Sequence, residues 1–117
     1  MVAEDDPILR YATVHTLKKH GYRVLETRDG AEALWVIDQQ HHELIDLVIS
    51  DLQMPRMDGN ALAHEIKQKR PDLPVIIVTG CMADDFPPDL TNYVVDVIPK
   101  PVNPGSITAR VAALLGT

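Results

Sequence analysis

A single cysteine in 117 residues excludes an internal disulfide. No N-terminal apolar stretch has the form of a signal peptide, and the longest apolar runs, such as "PVIIVTGCM", are far too short to cross a bilayer. No stretch gathers Lys and Arg onto one expected face, and the formal net charge is -6. That argues against direct nucleic-acid binding, which needs a basic footprint. There is no low-complexity block and no internal repeat; nine prolines and six glycines are scattered as punctuation. These absences leave a cytoplasmic domain as the expectation, with no membrane segment in this chain. A hydrophobic fraction of 45% and a charged fraction of 24% are ordinary for a globular domain, and the length suits one core, so residues 1–117 are expected to form a single domain.

Strand and helix signals alternate about five times. "MVAE" is a short first strand candidate leading into the acidic cluster "EDD". Pro7 suits a first helical position, and that helix is expected to run to about His20, where Gly21 stops it. "YRVLET" reads as a strand by its Tyr, Val and Thr. Asp29 followed three residues later by Glu32 gives a cap-like start to a second helix, on which Trp35 is expected to pack. "LVIS" and "VIIVT" are apolar without polar alternation, as in strands buried on both faces of a parallel sheet. Between them, "NALAHEIKQKR" spaces Leu62 and Ile66 one turn apart and ends before Pro71. "VVDVI" is a fifth strand. The last helix has Asn103 as cap, Pro104 at its first position, and Ile107, Val111 and Leu114 on one face. A fourth helix belongs in residues 81–93, but Pro87 and Pro88 should shorten or distort it. This order predicts an α/β fold, an open doubly wound parallel sheet with helices on both faces.

In such sheets ligands bind at the carboxyl ends of the strands, beside the point where strand order reverses. The first strand ends in Glu4 and Asp5, with Asp6 next; the third ends in Asp51, the fourth in Thr79, and the fifth leads to Lys100. Clustered carboxylates repel: two unit charges ~4 Å apart cost about 4 kcal/mol at an effective dielectric of about 20. A cation must offset them, or some must stay protonated. Mg²⁺ suits a site of carboxylates, waters and a phosphate. Lys100 adds a positive charge on a flexible stem, and Thr79 a hydroxyl. With both cations in place, Asp51 can attack phosphorus and form an aspartyl phosphate.

The chain resembles the receiver domains of two-component response regulators, the chemotaxis-regulator-like family, through "AEDDPILR", "VISDLQMPRMDG", "VIIVTG" and "VIPKP" over essentially its full length. The resemblance implies a flavodoxin-like five-stranded sheet of order 2-1-3-4-5. It makes Asp51 the phospho-acceptor, Thr79 the switch hydroxyl and Lys100 the phosphate-binding lysine. It also implies that Glu4, Asp5, Asp51 and the backbone carbonyl of Gln53 hold Mg²⁺. Spacing to Arg10 favours Asp5 as the direct ligand, with Glu4 acting through water and Asp6 as a bystander. Lys100–Pro101 is expected to be cis. A histidine kinase or histidine phosphotransfer protein would donate the phosphate, and an output domain or effector protein would receive the signal. Such a domain is no conventional enzyme: it catalyses only its own phosphorylation and dephosphorylation. The side chains of Gln53 and Cys81 fall where family members influence water access to the phosphoryl group.

The sequence departs from the family at three places. Val97 occupies the position usually held by an aromatic switch residue, with Tyr93 nearby but out of register. Pro87 and Pro88 fall in the fourth helix, part of the family's signalling surface. The short "MVAE" suits a chain that begins inside a larger natural protein, whether a hybrid kinase or a multidomain regulator.

Other readings compete. Asp51 could cap a turn, and the acidic cluster could cap the first helix, where negative charge is favourable. Thr79 could be a plain β-branched strand residue, Lys100 a loop lysine, and Cys81 a half-buried small residue rather than a redox thiol. His41, His42 and Glu43 read as a solvated linker rather than a metal site. His15, His20 and His64 lie on expected helices outside any phosphorylated-histidine box. A second function is a receiver-like interaction scaffold without a phosphorylation cycle, motivated by Val97 and the broken fourth helix. A third, a phosphatase with an aspartyl-phosphate intermediate, lacks the second aspartate such enzymes often carry, since Gln53 stands there. A flavin or dinucleotide role is disfavoured because "EDDPI" has no glycines and would repel phosphate.

Overall fold

The computed structural model describes residues 1–39 and 44–116. His41, His42 and Glu43 lie outside the described residues. In chain order the elements are β1 (Val2–Ala3), α1 (Pro7–Lys19), β2 (Glu26–Thr27), α2 (Gly30–Asp38), β3 (Val48–Asp51), α3 (Gly59–Lys69), β4 (Val75–Thr79), β5 (Asp96–Pro99) and α4 (Pro104–Leu115). The five strands are parallel in the order β2-β1-β3-β4-β5, as the resemblance implied.

Each central strand feeds two cores by strict alternation. On β4, Val75 and Ile77 face a cluster with Leu62, Ile66 and Leu90, whereas Ile76 and Val78 face one with Leu17, Ile107 and Val111. Helices α2 and α3 pack together, as do α1 and α4. The helix starts follow the sequence signals. Asp29 accepts the Glu32 amide at 2.9 Å, and Asn103 that of Gly105 at 2.8 Å. Helix α1 stops where Gly21 takes φ +94°, a conformation glycine adopts freely.

Four expectations need correction. "YRVLET" yields strand only at Glu26–Thr27, because β2 is an edge strand whose sole partner, β1, is two residues long. Trp35 is 64% exposed. Helix α2 buries Gly30, Ala33 and Ile37, and a residue two positions from Ile37 points to the opposite side of the helix. Leu114 is 44% exposed, while Leu115 packs against the core; the inward row of α4 runs Ile107, Val111, Leu115 in steps of four. Finally, the short or distorted fourth helix expected in residues 81–93 is reduced further, with no α-helical turn in that segment. Residues 80–95 contain two single 3-10 turns, Ala83–Asp85 and Leu90–Asn92, with Leu90 buried beneath them. Asn60 of α3 tethers this segment by donating to Asp89 at 3.3 Å, and the Tyr93 ring lies 4.9 Å from that of His64.

Candidate functional site

Strand order reverses between β1 and β3, and the polar strand ends meet there. Glu4 follows β1 directly; its amide donates to the Thr27 carbonyl at 3.1 Å and its side chain is buried. Asp5 is exposed. Asp6 turns away to cap α1, accepting the amides of Ile8 at 2.9 Å and Leu9 at 3.3 Å. Of the three acidic residues, Asp6 alone therefore has the capping role considered above. Arg10 donates to the Glu4 carbonyl at 2.9 Å and pairs with Glu26 at 3.4 Å, tying α1 to this rim.

Asp51 ends β3, buried at 8% exposure, with one oxygen accepting the Gln53 amide at 3.3 Å. Its other oxygen accepts Lys100 Nζ at 2.8 Å, and the same ammonium reaches Glu4 at 3.5 Å. The Lys100 amide donates to the Thr79 carbonyl at 2.8 Å, so the lysine is fixed at its base by β4 and at its tip by Asp51. The Lys100–Pro101 bond is cis. Thr79, buried, lies one residue beyond the Asp51–Val78 pairing, and its hydroxyl accepts the Cys81 amide at 3.0 Å. Gln53 is exposed, and Cys81 is partly buried with a free thiol.

Glu4, Asp5 and Asp51 each offer an oxygen, and these atoms lie within 4.8 Å of one another. A Mg²⁺ with oxygen ligands at ~2.1 Å spans about 4.2 Å between opposite ligands, so small side-chain adjustments let the three groups share such an ion. An all-oxygen acidic set is the donor chemistry a hard cation prefers.

Burial raises the Glu4 carboxyl from its ordinary 4.5 to about 7; the Asp6 amide opposes the rise, the nearby Asp51 charge adds to it, and Lys100 offsets part. Burial disfavours the Lys100 charge, but Asp51 and then Glu4 outweigh it and hold the ammonium above the usual lysine range. A carboxyl raised in the folded state keeps its proton there while the unfolded chain loses it. Its contribution to metal-free stability is therefore zero below 4.5, falls as pH rises, and is fully unfavourable above about 7. Denaturation in chelator at pH 5 and pH 8 should show this decline in the wild type and a flatter profile in Glu4→Gln. Equal slopes in the two proteins would remove Glu4 as its source.

Sequence reasoning passed over one residue beside the site. Arg56, in the loop between β3 and α3, has φ +67° and grips Asp29 through Nε at 2.9 Å and through Nη2. Burial alone would raise the Asp29 carboxyl, but the Glu32 amide and the Arg56 guanidinium hold it below its ordinary value. "PRMDG" carries turn chemistry but no sign of a partner 27 residues upstream.

The model for the response regulator receiver domain matches residues 1–112. The chain belongs to the response regulator receiver family. Among its relatives, the sensor kinase CckA of Brucella abortus is 33% identical over 116 residues, 98% of this chain and 12% of that protein. The transcriptional regulatory protein GlrR of Escherichia coli is 43% identical over 80 residues, 68% of this chain and 17% of that protein. This receiver thus spans only 12% and 17% of those two relatives. In structure it is similar to a CheY-like receiver domain protein from Methanospirillum hungatei. The TM-score is 0.87 at 26% identity, covering 98% of this chain and 90% of that one. No helix among the described residues is long and apolar enough to cross a membrane.

Proposed function

We propose that this receiver accepts a phosphoryl group on Asp51 from a phosphohistidine on a kinase or phosphotransfer protein, and that the modification switches a signalling surface. The observation that carries this reading is the 2.8 Å contact between Lys100 and a buried aspartate at the strand-order reversal. A buried carboxylate needs a counter-charge, and a lysine anchored by a neighbouring strand can transfer its contact from Asp51 to an incoming phosphoryl oxygen.

In the transfer, an Asp51 carboxylate oxygen bonds to phosphorus while the phosphorus–nitrogen bond to the donor imidazole breaks, and the electron pair returns to the ring. Glu4, Asp5, Asp51 and the Gln53 carbonyl would hold Mg²⁺, which when bound supplies positive charge to the transferring oxygens. Glu4 must give up its proton to serve as a ligand. Lys100 neutralises charge on a second oxygen. Thr79 has a hydroxyl hydrogen to donate, and its present bond from the Cys81 amide couples any movement toward the phosphoryl group to the segment after β4. Asp51 acts as nucleophile without the neighbouring general acid that a phosphatase cycle uses, because Gln53 stands two residues on.

Val97 and the missing fourth helix favour a second reading, a scaffold that binds a partner without a phosphorylation cycle. Intact mass after incubation with acetyl phosphate separates the two. The wild type should gain one phosphoryl group only when Mg²⁺ is present, and Asp51→Asn none. A folded wild type that gains nothing from acetyl phosphate or from a phosphorylated histidine donor would leave the scaffold.

A further inference from the structure

The loop from Leu52 to Asp58 lies between the acceptor and α3, and it is pinned at two places. At the α3 end, the Gly59 amide donates to the Leu52 carbonyl at 2.8 Å. Within the loop, Arg56 and Met57 clasp it to the start of α2, an element that otherwise has no part in the site. The Gly30 amide donates to the Met57 carbonyl at 3.1 Å, and any Cβ on Gly30 would collide with that oxygen. Asp29 divides its carboxylate: Oδ1 caps α2 through the Glu32 amide, and Oδ2 receives the Arg56 guanidinium.

Arg56 is a costly residue for this position. Its φ of +67° lies in the left-handed region, and the Met57 amide donates to the Pro55 carbonyl at 2.7 Å, closing a three-residue turn around it. Glycine would adopt that backbone without strain. A non-glycine residue persists in such a conformation when its surroundings hold it there, and such residues gather at functional sites. The Arg56 side chain is 66% exposed, so its ion pair contributes little to global stability. Its effect is local: it fixes the middle of a loop whose next fixed points are the Gln53 amide on Asp51 and the Gly59 amide on Leu52.

We propose that the Asp29–Arg56 pair positions the acceptor loop for metal binding, holding the backbone around Gln53 in place for the cation and linking its occupancy to the start of α2. This rests on the Mg²⁺-binding reading given under Proposed function. Arg56 and Asp29 are positioning residues: neither is among the acidic groups that converge on the site. Supporting residues of this kind typically change metal affinity by about 10- to 100-fold when removed. The exposed arginine places this pair near the lower bound.

Two substitutions separate positioning from folding. Arg56→Gly relieves the left-handed strain while deleting the guanidinium that faces the buried Asp29 carboxylate, two opposed effects on stability, so a thermal melt accompanies each titration to show that the variant is folded. Asp29→Asn keeps a good helix cap while deleting the charge. Titration of the whole chain with Mg²⁺ by calorimetry should show an affinity loss of roughly 10-fold in each variant, with the double variant no worse than either single one. Arg56→Lys should recover only part, because an ammonium lacks the two-pronged grip. As an independent readout, Mg²⁺ should slow hydrogen exchange of the Gly30–Leu34 amides in the wild type and not in Arg56→Gly. Wild-type affinity and wild-type exchange in Arg56→Gly would overturn the proposal. A wild type that binds no Mg²⁺, in a protein shown to be folded, would instead overturn the metal-binding reading beneath it.

Discussion

Lys100→Met should take up phosphate from acetyl phosphate roughly 10²- to 10³-fold more slowly than the wild type, the usual cost of losing one preorganised group that stabilises transition-state charge. Methionine keeps an unbranched stem of similar reach while removing the ammonium that stands 2.8 Å from Asp51 and 3.5 Å from Glu4. The variant should still bind Mg²⁺, because the three carboxylates remain and a competing cation has gone. Without metal it should be less stable than the wild type at neutral pH, since two buried acids would share a pocket with no counter-charge; added Mg²⁺ should close most of that gap. Lys100→Arg should not restore the rate, because a planar fork cannot replace a compact ammonium. Quench-flow or timed intact-mass measurements give the rate, and calorimetry the metal affinity. A Lys100→Met protein that is phosphorylated at the wild-type rate would show that the lysine serves the fold alone.

Gly59→Ala should destabilise the protein by about 3 kcal/mol, at the upper end of typical overpacking costs. For a domain of this size that lowers the melting temperature by roughly 10–15 °C. Gly59 opens α3, and a Cβ there would overlap the Asp51 carbonyl oxygen while lying 2.9 Å from Ile77 Cδ1 and 3.0 Å from Leu52 Cα. Alanine gains up to about 1 kcal/mol over glycine in helix propensity, and that gain is the competing effect. Overlap wins because its main partner is the backbone of a strand hydrogen-bonded on both sides, which cannot yield as a flexible side chain would. The obstructing carbonyl belongs to Asp51 itself, so any accommodation moves the candidate acceptor, and phosphate uptake should fall with stability. A thermal melt decides it. An alanine variant as stable as the wild type would mean that α3 can slide away from β3 at little cost.

Much of the architecture was legible because it depends on local signals. Continuous apolar runs marked β3 and β4, single residues such as Asp29 and Asn103 announced helix starts, and the polar ends of those runs named Glu4, Asp51, Thr79 and Lys100. Features set by neighbours were harder. The length of β2 depends on how short β1 is, and the exposure of Trp35 depends on which side of α2 meets the sheet. Leu114 and Leu115 differ by one position, and helical periodicity alone did not choose between them. The Arg56–Asp29 clasp was invisible because neither half carries a signal for the other. Asp29 already had a sufficient explanation as a helix cap, and an arginine with positive φ looks in sequence like any loop arginine.

The segment between β4 and β5 also bears on partner choice. A helix offers a partner regularly spaced ridges, and surfaces evolved to grip one interlock with that periodicity. Residues 80–95 present two short turns and two adjacent prolines, tethered through Asn60 and His64. A docking protein that recognises helical grooves at this face would find its ridges out of step. A protein fitted to this irregular contour would in turn grip a regular helix poorly. If the proposed switch signals through this face, the absence of an α-helix there would act as insulation, a shape mismatch that rejects partners fitted to a regular helix.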